Sequence, residues 1–276
     1  MYRTSYNQPL KRSRLIVFFA KLAFLGVIGL FLISFVILPL LAYDLPSPDK
    51  IVRREGFSTK ILDRNAKVLY DIYSDQKRIP ITIDQAPKYL RQATIAIEDK
   101  NFYKHQGFDP IGIFRAMVNI IFRGKLQGGS TLTQQLVKNV LLSPERTIFR
   151  KVREFILAIQ IERKYSKDQI LQMYLNEAPY GGTAWGVEAA SETYFGKSVA
   201  ELSLVESAIL AGLPQRPSFY SPFSSNPKAY IGRTQEVLRR MREDGYINSS
   251  EEKKAREELK LITFIEKYTK FMSLKI

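Results

Sequence analysis

The chain has 276 residues, 45% of them hydrophobic and 25% charged, enough apolar content for the core of one large or two small domains. It holds no cysteine, which excludes disulfides and thiolate metal sites, and one histidine, which excludes multi-histidine zinc centres. Its 42 Lys and Arg against 27 Asp and Glu give a net charge of +15. Such an excess suits a phosphate-bearing partner, and no nucleic-acid-binding motif accompanies it.

Residues 1–14 form a basic tail carrying Arg3, Lys11, Arg12 and Arg14 without an acid. An apolar segment, residues 15–42, follows, and its part from Leu22 to Ala42 is a run of 21 uncharged residues. As a helix with ~1.5 Å rise per residue, that run is about 31 Å long, the thickness of a bilayer core. A cleavable signal peptide has an apolar region of only about 7–15 residues ending at small side chains, which this one lacks. The expectation is an uncleaved, single-pass signal anchor with the N-terminus in the cytoplasm and all that follows outside. With the five cations of residues 1–42 set aside, the external part keeps a net +10.

Residues 43–58 read as a linker rich in Pro, Asp and Ser. Thr59–Leu62 and Val68–Tyr73 read as two short strands joined by a turn at Asp63-Arg64-Asn65-Ala66. Beyond Pro80 the pattern is helical. Pro87 suits the first position of a helix carrying Leu90, Ala93, Ile97 and Glu98. Asp109-Pro110 opens an apolar helix through Phe122, suited either to the core or to a lipid interface. A further helix starts near Gly129, and another runs from Thr147 to Lys164 with Ile148, Val152, Phe155, Ile156 and Ile159 as its expected buried stripe and Glu154 off its centre. Ser166 with Gln169, Ser198 with Glu201 and Ser203 with Glu206 fit capping boxes, and Gly196 and Gly212 fit helix stops. Asn226-Pro227 starts a helix that reaches about Asp244. The external part is therefore expected to be mainly α with a small β element, its body spanning 59–245 and a helical tail 246–276.

Two carboxylates carry the chemistry. Glu98 opens the segment 98–107, which also holds Asp99, Phe102, Tyr103, His105 and Gly107; Glu154 closes Arg150-Lys151-Val152-Arg153-Glu154. Between them lie Ser130, Thr131, Gln134, Gln135, Lys138 and Asn139 behind Gly128-Gly129. An acid pair separated by hydroxyls, amides and cations suits reaction at a sugar carbon with an anionic leaving group: one carboxylate moves a proton and donors hold the departing charge. Plainer readings exist for each piece. Glu98-Asp99 could be solvated charge, the polar helix an N-capped surface helix, and Arg150 an i,i+4 partner of Glu154. His105, the only histidine, reads first as a structural hydrogen-bonding residue. A phosphate-binding P-loop is excluded because Gly124 to Ser130 lacks the Lys-Ser/Thr ending, and the absence of Asp-x-Asp argues against a metal-bound nucleotide-sugar site.

Taken in order, Glu98 to Gly107, Gly129 to Asn139, Arg150 to Glu154, Ser166 to Lys197 and Glu206 to Pro214 closely resemble the blocks of the peptidoglycan glycosyltransferase (transglycosylase) family, over roughly Lys60 to Leu238. That family comprises monofunctional enzymes and the first domain of bifunctional penicillin-binding proteins. The resemblance implies a lysozyme-like, mainly helical domain on one transmembrane helix in the cytoplasmic membrane. It implies polymerisation of lipid II into glycan strands, with inversion and release of undecaprenyl pyrophosphate. Glu98 would be the general base, and Glu154 would assist at the donor site. The implied substrate-binding set is Asp99, Phe102, His105, Ser130, Thr131, Gln134, Gln135, Lys138, Asn139, Arg146, Arg150, Lys151, Asn176 and Tyr180. No cofactor is implied as required, and a divalent cation such as magnesium or manganese is compatible. Lipid II, the growing strand, membrane lipids and cell-wall synthesis proteins are the implied partners. The remaining alternatives are a lysozyme-like peptidoglycan hydrolase and an inactive anchored scaffold. Where the family often carries an aromatic residue after Asn176, this chain has Pro179. Ser74–Lys77 and Ser224–Asn226 match transpeptidase patterns by chance, since no Lys-Thr-Gly follows.

Overall fold

The structure, a computed structural model, describes residues 10–32, 35–36, 38–43, 45–51, 59–62, 64, 68–72, 77–110, 112, 129–145 and 147–265. The chain opens with α1 (Leu10–Leu32) and α2 (Leu38–Tyr43). Ile16, Phe18, Phe19, Phe24 and Leu25 of α1 are exposed. The uncharged part of α1 runs only from Leu22 to Leu32, about 16 Å at ~1.5 Å per residue. No helix among the described residues is long and apolar enough to cross a membrane. Ile33, Ser34 and Ile37 of the expected span lie outside the described residues, as does the apolar segment from Ile113 to Phe122 with its flanking Ile111.

Within the expected linker, a 3-10 turn at Pro48–Ile51 buries Ile51, while Asp49 pairs with Lys164 and accepts from the Tyr165 hydroxyl at 3.4 Å. The expected strand pair forms as β1 (Thr59–Leu62) and β2 (Val68–Ile72), antiparallel with Thr59 opposite Ile72 and a register shift at Ile61/Leu62. A second sheet was not legible. It joins β3 (Lys77–Arg78), β4 (Pro179–Gly181) and β5 (Ala184–Trp185) in the order β3-β5-β4. Strands of two or three residues are too short for a period-2 pattern to register. The buried Arg78 ties this sheet to the helices through Glu177 at 2.7 Å and lies over the Trp185 ring.

Two groups of helices make the body. In the first, α3 (Lys88–Glu98) follows Pro87, which sits at the N-cap rather than one residue later, and buries Leu90, Ala93, Thr94 and Ile97 at helical spacing. It packs against two later helices, α8 (Leu204–Gly212) and α10 (Ala229–Glu243). In the second, α4 (Leu132–Val140) packs between α5 (Ile148–Lys164) and α6 (Lys167–Glu177). Between these groups in sequence, α7 (Val187–Tyr194) ends before Gly196 as expected. A short α9 (Pro217–Tyr220) precedes α10. The capping boxes at Ser166 and Ser203 form, whereas Ser198 caps only a 3-10 turn, Val199–Glu201. Beyond 245, α11 (Ser249–Leu261) packs on α10 and α8 and buries Ala255 and Leu259. Phe264 then meets the rings of Tyr194, Phe195, Phe223 and Tyr230.

The expected stripe of α5 is corrected. Its buried line is Glu154, Leu157, Ala158 and Ile161, while Ile148 is 83% and Phe149 65% exposed. Apolarity alone rotated the expected face toward the helix start, where these side chains are exposed. Glu154 is on the buried line, not off it.

Candidate active site

Glu98 ends α3 at the junction of the two helical groups. Its Oε2 accepts from Gln135 Nε2 of α4 at 2.7 Å, and its Oε1 accepts from Arg233 Nη2 of α10 at 3.0 Å. Both side chains of the Glu98–Arg233 pair are about nine-tenths buried. The Tyr174 hydroxyl donates to Gln135 Oε1 at 3.5 Å, a long contact. Burial, and then the charge on Glu98, raise the Tyr174 and Tyr180 phenols above their ordinary pKa, so both stay neutral.

Glu154 is only 2% exposed and pairs with Lys151, whose ammonium also donates to Ser130 Oγ at 2.8 Å. Lys138 feels the charge of both carboxylates. Burial lowers its pKa, Glu154 and Glu98 oppose that shift, and Lys151 and Arg150 add to it. The Lys138 side chain is exposed, so its ammonium stays in contact with solvent. Among the described residues, the buried Nε atoms of Arg150 and Arg153 have no hydrogen-bond partner. The expected Arg150–Glu154 pairing is therefore replaced by Lys151–Glu154, and Arg150 keeps a donor for another acceptor.

Several expected substrate contacts instead build the frame. Asp99 accepts from Leu132 N at 2.9 Å, at the start of α4, and lies 3.0 Å from His105 Nε2. Thr131 donates to Gly107 O at 2.9 Å and forms a capping box with Gln134, and both are buried. The face of α4 turned to Glu98 thus bears Gln135 and Lys138, not Gln134. Gly107, at φ +91°, lies against the Ala158 backbone, where a Cβ would come within 3.0 Å. Phe102 is fully buried, with Lys167 Nζ 4.5 Å from its ring centre, so it is core rather than a wall of the groove. Asn176 exchanges two hydrogen bonds of 2.9 Å with the backbone of Ile81. Tyr180 is buried near Glu98, Asn139 is half-buried on α4, and Arg146 lies outside the described residues.

Sequence reasoning missed Arg233 and Tyr174. Arg233 is 135 positions from Glu98, but one signal marked it: a cation three residues after Tyr230 and four before Val237, both buried. A charge on an apolar stripe needs a partner.

Among the described residues no group of three or more metal-ligating side chains forms. Glu98 and Glu154 are each paired with a cation, Arg233 and Lys151.

A sequence model of the family described as "Transglycosylase" matches residues 65–242. The chain is 49% identical over 180 residues to penicillin-binding protein 1A of Escherichia coli (strain K12), covering 65% of this chain and 21% of that protein. It is 40% identical over 237 residues to penicillin-binding protein 1F of Bacillus subtilis (strain 168), covering 86% of this chain and 32% of that one. Among solved structures, penicillin-binding protein 1A from Haemophilus influenzae is similar with a TM-score of 0.45 and 26% identity, over 76% of this chain and 21% of that chain. The chain thus spans about a fifth to a third of the length of these relatives. On the family match and the identities to the Escherichia coli and Bacillus subtilis proteins, the chain belongs to the transglycosylase family.

Proposed function

We propose that this protein is a peptidoglycan glycosyltransferase that polymerises lipid II on the outer side of the cytoplasmic membrane. The observation that supports this reading is that Lys138 feels the charges of both Glu98 and Glu154, with Lys151 paired to Glu154 and donating to Ser130. Glu98 takes the proton of the acceptor N-acetylglucosamine 4-hydroxyl. The freed oxygen forms a bond to the anomeric carbon of the donor N-acetylmuramic acid from the opposite face, and the bond from that carbon to the pyrophosphate oxygen breaks. Lys138, Lys151 and Arg150 hold the departing undecaprenyl pyrophosphate, already a stable anion, so cations matter there more than a strong acid. A lysozyme-like hydrolase would need one carboxyl kept protonated by apolar surroundings. Both oxygens of Glu98 instead receive donated hydrogen bonds, which suits a carboxylate acting as base.

The N-terminus supports a membrane anchor: basic residues lead into exposed apolar side chains of α1, and the uncharged sequence continues to Ala42. Incubation with labelled lipid II tests the function. Glycan polymer is expected, with loss of about 10²–10⁴-fold in Glu98→Gln and severe loss in Glu154→Gln. Shortening of preformed glycan would support the hydrolase, and absence of both activities would support a scaffold.

A further inference from the structure

We propose that Arg233 is a positioning residue for Glu98, and that Gly212 supplies the slot through which its side chain reaches the groove. The proposal rests on Glu98 acting as base. Arg233 sits on α10 and bridges two elements: its Nη2 donates to Glu98 Oε1 at 3.0 Å and its Nε to the Gly212 carbonyl at 3.2 Å. A guanidinium anchored at one nitrogen presents the others at a fixed angle, unlike the freely swinging ammonium of lysine. With Gln135 on the other oxygen, the carboxylate is held from two sides by donors on different helices.

The helix ends at Gly212 as expected, yet the φ of this glycine is −80° and the chain continues into a 3-10 turn, Leu213–Gln215. Glycine is therefore not needed there for its conformation. A Cβ at 212 would lie 2.9 Å from Arg233 Cγ and 3.5 Å from Val237 Cγ2. Arg233 Cγ is near the root of the side chain, so it cannot yield without redirecting the guanidinium. The missing methyl is what allows the stem of Arg233 to pass over α8 to Glu98.

This arrangement gives Arg233 a defined role. The base must meet the acceptor hydroxyl within hydrogen-bond reach and at the right angle, and a misplacement of about 1 Å costs on the order of 10²-fold in rate. Arg233 makes no demand on the donor pyrophosphate, which the cations around Glu154 bind. Its loss is therefore read in turnover more than in substrate affinity.

The test uses the full chain in non-ionic detergent with labelled lipid II. Arg233→Met is expected to lower kcat about 10²-fold with KM within about twofold, and Arg233→Lys to recover part of the loss. Gly212→Ala keeps every polar group and suits the backbone, and it should lower kcat in the same direction. Wild-type kcat in Arg233→Met overturns the proposal. So does a joint change of kcat and KM without rescue by lysine, which marks a merely structural residue. Wild-type kcat in Gly212→Ala overturns the slot. A thermal double-mutant cycle between Arg233→Met and Glu98→Gln reads the pair without turnover. If wild-type protein makes no polymer, the functional reading fails while the cycle still decides: coupled shifts in Tm support the clamp, and additive shifts overturn it.

Discussion

Phe102 separates a structural from a substrate-binding reading of the segment that follows Glu98. Its ring is fully buried, with centroids 5.2 Å from Tyr103 and 6.3 Å from His105, and Lys167 Nζ lies 4.5 Å from its centre. That ammonium pairs with Glu162 at 2.7 Å, and Glu162 accepts from Thr133 at 2.5 Å, so the ring underlies a network joining α4, α5 and α6. Phe102→Ala removes a fully buried aromatic side chain, a change that costs about 3–5 kcal/mol. The cation–π contact adds roughly 0.5–2 kcal/mol for a desolvated ammonium. In a body of this size each kcal/mol shifts Tm by about 2–4 °C, so the expected loss is roughly 7–28 °C. Scanning fluorimetry of the full chain in detergent measures it, and repeating the substitution in Lys167→Met isolates the ammonium's share. At a temperature where the variant is folded, KM for lipid II should be unchanged. A raised KM with Tm near wild type would refute the argument and return Phe102 to the substrate surface.

Lys138→Met should leave Tm within about 2 °C of wild type, because the side chain is exposed and surface substitutions change stability by only about 0.5 kcal/mol. The same variant should lose about 10²-fold or more in turnover, and wild-type rates would remove Lys138 from the site. Burial acts to raise the pKa of Glu206, but hydrogen bonds from Lys197 and Ser203 outweigh it and leave it lowered. Folded protein then binds fewer protons than unfolded, so this contribution is full above the ordinary carboxylate value of 4.5 and fades as pH falls below it. Tm of Glu206→Gln should accordingly fall less than that of wild type between pH 6 and about pH 3. Ile148 and Phe149, exposed on the first turn of α5 beside Arg150 and Lys151, should enter a lipid surface. Replacing both by Ser in a protein lacking residues 1–43 should weaken binding to anionic liposomes about tenfold or more, measured by sedimentation; unchanged binding counts against the contact.

How far the chain could be read without its structure varied by the range of the interaction. The capping boxes at Ser166 and Ser203 formed as expected because a cap is settled within four residues. The strand pair β1–β2 was legible for the same reason. Glu98 and Glu154 were marked by their neighbours' chemistry, and the charges of both act on Lys138. The buried face of α5, by contrast, depends on which helices lie against it, and apolar count put it at Ile148 instead of Glu154, Leu157 and Ile161.

The sequence by itself determined the helical character, the helix starts, the basic N-terminus before its apolar run, and the carboxylates with the cations beside them. All are set by side-chain type and short-range spacing. Tertiary structure alone decided which polar groups remain available. Thr131, Gln134 and Asn176 are engaged by nearby backbone, Phe102 by the core, and Gln135 is turned toward Glu98. It also brought Arg233 to Glu98 across 135 positions, through space left by a glycine. A hydrogen bond needs its partners within about 3 Å, and only the packing of α3, α4, α8 and α10 supplies that proximity.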